Sequence, residues 1–506
     1  MDSSKSILHT LSSVTVLIVF GKLLGFAKQM VVASKFGTTI ETDIFTLAQS
    51  FIENTQYMLA QALLTSFTAI YIKVKEKNEL EAQKFSCDTI KASCIITIFF
   101  VAFVFVTSKY ISYILAPTYS WELSLRLSNY LRLFAPLLIV YVWTAVFQAL
   151  LNSNKRFIPG EFISINQSII TIAMVIVGYG LGIKALVISL FAYSVINFAF
   201  LGIFSSRYIE YHNGNPFKNQ NVTTLIRMAG PLLVGYATLY INQQVDKILA
   251  SGLDEGTVTA MWYATVLSNL VSVFIATFCS ILFTYITSAI AKNEHNKAAT
   301  ISTKTALLLT VFFLPVSILT IIEAEDIVKI VFGRGAFGKK SVIAAASALR
   351  GYGFIFVPYI FREVYSRILY GYQDSKSPMI SSSISITINI ILSIALCPKF
   401  GVFGITLASS ISMAVCGALN VAAAKKHSKV LNIRVLLKKL PILTLGGFAC
   451  GFAASFCMKS LSTSGALLRF LLTTLSGILA YAIVVGPVLY RIYVKNKEIS
   501  DFNIPE

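Results

Sequence analysis

Apolar residues in this chain run in long unbroken stretches, without the alternation of a half-buried strand or the stripe of a surface helix. A helix needs about 20 apolar residues to cross a hydrocarbon core some 30 Å thick. About fourteen stretches reach that length. The first six run near 7–34, 43–72, 85–107, 123–151, 158–180 and 183–204. The second six run near 222–251, 257–290, 299–322, 341–371, 378–397 and 402–424, and two more near 435–458 and 465–490. Barrel strands would alternate apolar and polar residues over much shorter segments. The pattern therefore predicts an all-α polytopic membrane protein of about 14 transmembrane helices.

The pattern also repeats. Ala33-Ser34 after the first helix matches Ala250-Ser251 after the seventh, 217 positions on. Pro159 at the start of the fifth helix matches Pro378 at the start of the eleventh, 219 on, and Gly182 before the sixth matches Gly401 before the twelfth, again 219 on. A nearly constant offset over separate landmarks marks an internal repeat. Six helices is an even number, so the repeats run parallel, related by an axis along the membrane normal. The expected organisation is a six-helix lobe over 1–215, a second over 216–430, and two appended helices with a cytoplasmic tail over 431–506. Transporters built from such repeats place substrate between the halves near the midplane.

Composition and charge sharpen this picture. Only 13% of the 506 residues are charged and 56% are hydrophobic, against about a quarter charged in soluble domains. The net charge of +19 would suggest nucleic acid in a soluble protein. Here it reads as basic cytoplasmic loops, with no nucleic-acid partner. With the N-terminus inside, the inner segments collect 21 Lys and Arg against 9 outside. Lys73, Lys75, Lys77 and Lys84, the group from Lys425 to Lys439, and Arg491, Lys495 and Lys497 carry most of the bias. Both termini are expected in the cytoplasm. The first stretch carries Lys22 and Lys28 and no small-residue cleavage site, and reads as a retained helix.

The chemistry of an enzyme is missing from the sequence. The seven cysteines are scattered and form no CxxC, and the four histidines stand near loops or ends. Neither a metal site nor a disulfide framework is expected. No P-loop, HExxH or nucleophile elbow is present.

Charges within spans are costly and need a partner, a wet cavity or an interface to reach. The first helix holds Lys22 and Lys28 in GKLLGFAKQ, a cationic lining for an anionic substrate or a pair reaching for headgroups, with Gly21 and Gly25 as a place to bend. The second holds Asp43 at its mouth and Glu53 further in, within reach of either lysine. In the seventh, Asp246 is read either as a proton or cation site or as an interfacial partner of Lys247. Asn389 and Thr406, from helices eleven and twelve, could add neutral oxygens to such a site or serve as helix–helix contacts. The tenth carries Arg350, Arg362, Glu363 and Arg367, with Arg362 and Arg367 facing a cavity or inner-leaflet headgroups.

The opening GKLLGFAKQMVVASKFGTTIETDIF resembles the first helix and loop of the lipid II flippase (MurJ/MviN) family, within the multidrug/oligosaccharidyl-lipid/polysaccharide exporter superfamily. VDKILASGL, FGRGAF and SRILYGYQDSKSP, the last with Arg367, Tyr370, Asp374, Lys376 and Pro378, are similar to its second-half segments. The resemblance spans helices 1 to 12. It implies two six-helix lobes in a V around a cationic cavity, and movement of undecaprenyl-diphosphate-linked oligosaccharide, lipid II first among them, from inner to outer leaflet by alternating access. Lys22 and Lys28 then stand in place of two family arginines, and Asp43 in place of the loop aspartate. Gln56 stands where the family has an arginine, and Thr265 and Val266 where it has an Asp-Arg pair, so the expected cavity is less cationic, with Arg362 compensating.

The expected substrate contacts are Lys22, Lys28, Asp43, Glu53, Arg362 and Arg367, and the expected coupling residues Asp246, Asn389 and Thr406. No cofactor is expected, only coupling to a monovalent cation or a proton. The expected partners are a lipid-linked oligosaccharide, membrane lipids and cell-wall synthesis proteins, at the bacterial cytoplasmic membrane. A flippase for another polyprenyl-linked unit and a cation-coupled multidrug exporter are the alternatives. A drug exporter would line its cavity with acids, against the cations Lys22, Lys28 and Arg362.

Overall fold

The computed structural model describes residues 2–427, 433–461 and 465–495, with side chains from 16 on, apart from 238–239, 433–437 and 488–495. The side chains of Lys5, His9, Arg434, Arg491 and Lys495, and the whole of Lys429 and Lys497, lie outside the described residues.

The described residues form α-helices joined by short loops and three single 3₁₀ turns, with no strand among them. The chain divides into two compact units, residues 1–259 with 334–338, and residues 260–333 with 339–506. The first holds α1 (Asp2–Phe36), α2 (Ile40–Lys77), α3 (Glu79–Leu115), α4 (Trp121–Phe134), α5 (Leu137–Ser153), α6 (Ile158–Val177), α7 (Lys184–Ser205) and α8 (Gln220–Ser251). The unit boundary falls in the first turn of α9 (Thr257–Ala291). The second unit continues with α10 (His295–Ile322), α11 (Ala324–Phe332), α12 (Lys339–Gly353), α13 (Phe356–Gly371) and α14 (Lys376–His427). It ends with α15 (Ile433–Ser460) and α16 (Ala466–Lys495), which pack on each other and on α10. The repeat and the packing thus draw different boundaries: α8 opens the second repeat but packs on α2 and α3 in the first unit.

Among the described residues, twelve helical stretches are long and apolar enough to cross a membrane, α4 and α5 together making one. Taking α12 and α13 as a single span bent by 44° makes thirteen. At 1.5 Å per residue, the 52 residues of α14 would run about 78 Å, more than twice the hydrocarbon core. It breaks at Gly401, whose φ of 57° and ψ of −140° are non-helical, into the two spans expected near 378–397 and 402–424.

Backbone conformation carries the repeat more clearly than the letters do. Gly182 (φ 59°, ψ −141°) and Gly401 (φ 57°, ψ −140°) share one unusual conformation 219 residues apart. Gly37 and Gly256, both at positive φ, are again 219 apart, and Lys155 and Gln373 are 218 apart. A left-handed residue interrupts each repeat at matching points. At Gly37 and Gly256 the requirement is strict, because a Cβ would also run into the carbonyls of Ala336 and Thr38.

The bend between α12 and α13 shows how a break is tolerated inside lipid. It frees backbone carbonyls, and an unsatisfied one in hydrocarbon costs several kcal/mol. Ser317 of α10 donates to the Gly353 carbonyl, and Ser410 of α14 donates to that of Gly351 at 2.7 Å. Gly351 and Gly353 in turn lie so close to Thr406 and Ile321 that no larger residue would fit.

Candidate functional site

In the first unit, α1 packs on α6, and Gly21 sets how closely. A Cβ on Gly21 would collide with Ser164 Oγ, and one on Gly25 would touch Ser168. α1 runs unbroken through both glycines, and Gly21 is a close-packing position against α6. The residues after this seam carry the charges. Lys22 is exposed, with Glu161 of α6 as its acidic neighbour.

Lys28, half-buried, lies in the electrostatic field of Glu53 of α2. Glu53 accepts a 2.7 Å hydrogen bond from Gln49 Nε2 one turn earlier, and has a second charged neighbour in Lys247 of α8. Lys28 and Lys247 are 219 positions apart, so the two cations on Glu53 are repeat equivalents. Asp246 adjoins Lys247, and both are buried. Tyr141 of α5 and Tyr193 of α7 lie in the field of Glu53, with their hydroxyls 3.3 Å apart. The cluster of Lys28, Lys247, Glu53 and Asp246 is polar and neutral overall. A proton on Glu53 would leave the cluster with one net positive charge for an anion.

Asp43 is committed elsewhere. Its Oδ2 accepts from the Gly256 amide at 2.8 Å, and its Oδ1 from the amide and hydroxyl of Thr259 at 2.8 and 2.7 Å. In this structure the carboxylate caps the start of α9 and is not free for substrate. Around it, Glu255 Oε1 accepts from the Ile40 amide at 3.0 Å and the Ser34 carbonyl from Ala336 at 2.8 Å. The segments 34–43, 252–259 and 334–338 are laced into one seam, mainly by the Asp43 and Glu255 carboxylates accepting from backbone amides.

In the second unit the charges gather on α13. Glu363, 7% exposed, accepts from Arg362 Nη1 on Oε1 and from Arg367 Nη2 on Oε2, the latter at 3.3 Å. Arg362 lies over the ring of Tyr359 and Arg367 over that of Phe283, 5.8 and 5.6 Å from their centroids. Arg350 is 3.9 Å from Glu325.

Asn389 donates to Ser409 Oγ at 3.1 Å, while its Oδ1 is buried without a hydrogen-bond partner. Thr406 Oγ1 donates within its own helix, to the carbonyl of Val402 or Phe403 at 3.2 Å. Asp246 belongs to the first unit and Asn389 and Thr406 to the second, so packing does not place the three in one unit as the repeat did. Where the family resemblance expected further cations, Gln56 is half-buried and Thr265 donates to the Met261 carbonyl at 2.9 Å.

Lys247, Glu161 and the Tyr141–Tyr193 pair were not among the expected site residues. The visible signal for the first two was simple, a charge inside an apolar span, and for Lys247 also its spacing from Lys28.

The family model described as Lipid II flippase MurJ matches residues 32–494. The probable lipid II flippase MurJ of Buchnera aphidicola subsp. Schizaphis graminum is 25% identical over 423 residues, 80% of this chain and 81% of that protein. Its namesake in Borreliella burgdorferi is 24% identical over 420 residues, 81% of this chain and 82% of that protein. Among solved structures, a lipid II flippase MurJ in an inward closed conformation superposes with a TM-score of 0.80 at 21% identity, covering 95% of this chain and 99% of that one. An inward-facing multidrug resistance MATE transporter of the MOP superfamily reaches a TM-score of 0.69 at 13% identity, covering 81% and 95%. The structural likenesses show a shared fold.

Proposed function

This chain belongs to the lipid II flippase MurJ family, and from that premise we propose that it moves lipid II from the inner to the outer leaflet by alternating access. The observation that carries the reading is the family match over residues 32–494. The chain acts as a transporter and not as an enzyme. It resides in the bacterial cytoplasmic membrane with both termini inside, as the excess of Lys and Arg in alternate loops supports. Its partners are the lipid-linked precursor, membrane lipids and the proteins of cell-wall synthesis.

The chemistry of the charged clusters supports an anionic cargo. A diphosphate carries the charge that Lys22, Lys28, Arg362 and Arg367 seek. Lysine keeps the charge of the family's helix 1 arginines but not the bidentate fork. A drug exporter favouring cations would need acids left over, whereas Glu53 and Glu363 each have two cationic neighbours.

Coupling follows from the same pairs. Protonation of Glu53 leaves a net positive charge around Lys28 and Lys247 for the diphosphate, and deprotonation removes it, so a proton and the lipid bind together. The alternative is a monovalent cation on Asp246. Depletion of the protein in cells tests the function: lipid II accumulates in the inner leaflet. Accumulation of a different polyprenyl-linked precursor, with lipid II unchanged, overturns it.

A further inference from the structure

We propose that Glu363, despite its negative charge, is the positioning residue of a diphosphate receptor formed by Arg362 and Arg367. The inference rests on the lipid-linked diphosphate reading above and adds the group that shapes the receptor.

Arg362 and Arg367 are five residues apart, about 140° around a helix at 100° per residue. Alone they would diverge and repel. Glu363 draws them together by giving one carboxylate oxygen to each. Its side chain is 9% exposed, while those of Arg362 and Arg367 are 35% and 24% exposed, so the carboxylate lies behind the guanidinium groups it holds. An approaching anion meets the arginines first.

The orientation of each guanidinium is set twice. One N–H is held by Glu363, and the guanidinium carbon lies over an aromatic ring, Tyr359 for Arg362 and Phe283 for Arg367. A guanidinium has five N–H donors, so donors remain on each for ligand oxygens. Two oriented forks side by side match two linked phosphates better than one. Pre-orientation also lowers the entropy lost when the anion binds.

Position agrees with this use. On the proposed topology α13 descends to the cytoplasmic side at Gly371. Arg367 and Arg362 then lie about 6 and 14 Å from that end at 1.5 Å per residue. That depth suits a headgroup entering from the inner leaflet.

The test is binding of geranylgeranyl diphosphate and geranylgeranyl monophosphate to the full chain in nanodiscs. Wild type should prefer the diphosphate by about tenfold or more, the worth of one charge-assisted hydrogen bond. R362K and R367K should each cut that preference to about threefold or less with little change for the monophosphate. E363Q separates positioning from simple charge. Positioning predicts that monophosphate binding holds or rises while the preference falls. A mere counter-ion predicts that both probes gain equally and the preference stays, which would overturn the proposal. If E363Q does not fold, E363D, which keeps the charge but shortens the reach, should show the same fall, and an unchanged preference there overturns it. Lipid II translocation by the wild type in proteoliposomes keeps the two readings apart. Translocation with a preference unmoved by E363Q sinks the receptor alone, whereas loss of preference in E363Q without translocation of lipid II sinks the flippase reading alone.

Discussion

Asp43 and Thr259 are joined twice through a single carboxylate oxygen, by the threonine amide at 2.8 Å and its hydroxyl at 2.7 Å. The pair is buried, so each bond lost leaves a polar group without water. T259V should cost about 1–2 kcal/mol and T259S much less. D43A, which removes three bonds and the cap of α9, should cost more than T259V. Thermal unfolding in detergent ranks the three, and equal Tm values for T259V and T259S would contradict a role for the hydroxyl. G335A should open the same seam, because Gly335 holds φ +60° against the Ser34 carbonyl.

The cations of the first unit have distinguishable roles. Lys28 and Lys247 share Glu53, so K28A and K247A should each abolish most lipid translocation at normal protein level. K22A should also lose transport while K22R largely retains it. Full activity of K22A or K28A removes that residue from the diphosphate path. E53Q should keep substrate binding but lose the pH dependence of translocation. If instead D246N removes ion dependence and E53Q leaves pH dependence intact, coupling runs through Asp246.

Glu323 gives a pH dependence of stability with a clear sign. It follows α10 and is buried; Thr474 donates to Oε2 at 2.8 Å, and Oε1 has no partner. Burial, aided by the charge of Asp326, pushes its carboxyl up to about 7 from 4.5. The folded state therefore holds this proton more tightly than the unfolded chain. Stability from this group is greatest below about pH 4.5 and falls as pH rises to about 7, by up to about 3 kcal/mol. E323Q should flatten that slope and raise the Tm at pH 8. A slope that persists in E323Q places its origin elsewhere.

Asp374 has the opposite sign. It accepts from the Ser377 amide at 2.9 Å and the Ser377 hydroxyl at 2.6 Å, and lies 2.7 Å from His427. The hydrogen bonds from Ser377, with help from His427, hold its carboxyl down at about 2 from 3.8. Its contribution is complete above about pH 4 and is lost as pH falls from there through about 2. D374A should lower the Tm at neutral pH, with the difference from wild type shrinking below pH 3. D374N, which can still accept from Ser377, should lie between them.

Much of this fold was legible because bilayer thickness dictates helix length and the repeat leaves glycines at fixed spacing, as at Gly182 and Gly401. The partners of individual side chains were not legible, for physical reasons. Asp43 bonds mainly to backbone amides, which every residue but proline has and no letter reveals. Arg362 pairs with its neighbour Glu363, although adjacent residues on a helix do not face each other. Long side chains allowed both arginines to fold back on one carboxylate. The place of α8 in the first unit depends on its packing with α2 and α3, which helix counting does not report.

The most direct measurement is lipid II translocation by the purified protein in proteoliposomes, read as access of leaflet-specific probes to the headgroup. Wild type should move lipid II from one leaflet to the other, and the K28A/R362A double variant should match protein-free vesicles. Absence of lipid II movement by well-folded wild type, under every pH and sodium gradient applied, would contradict the central claim.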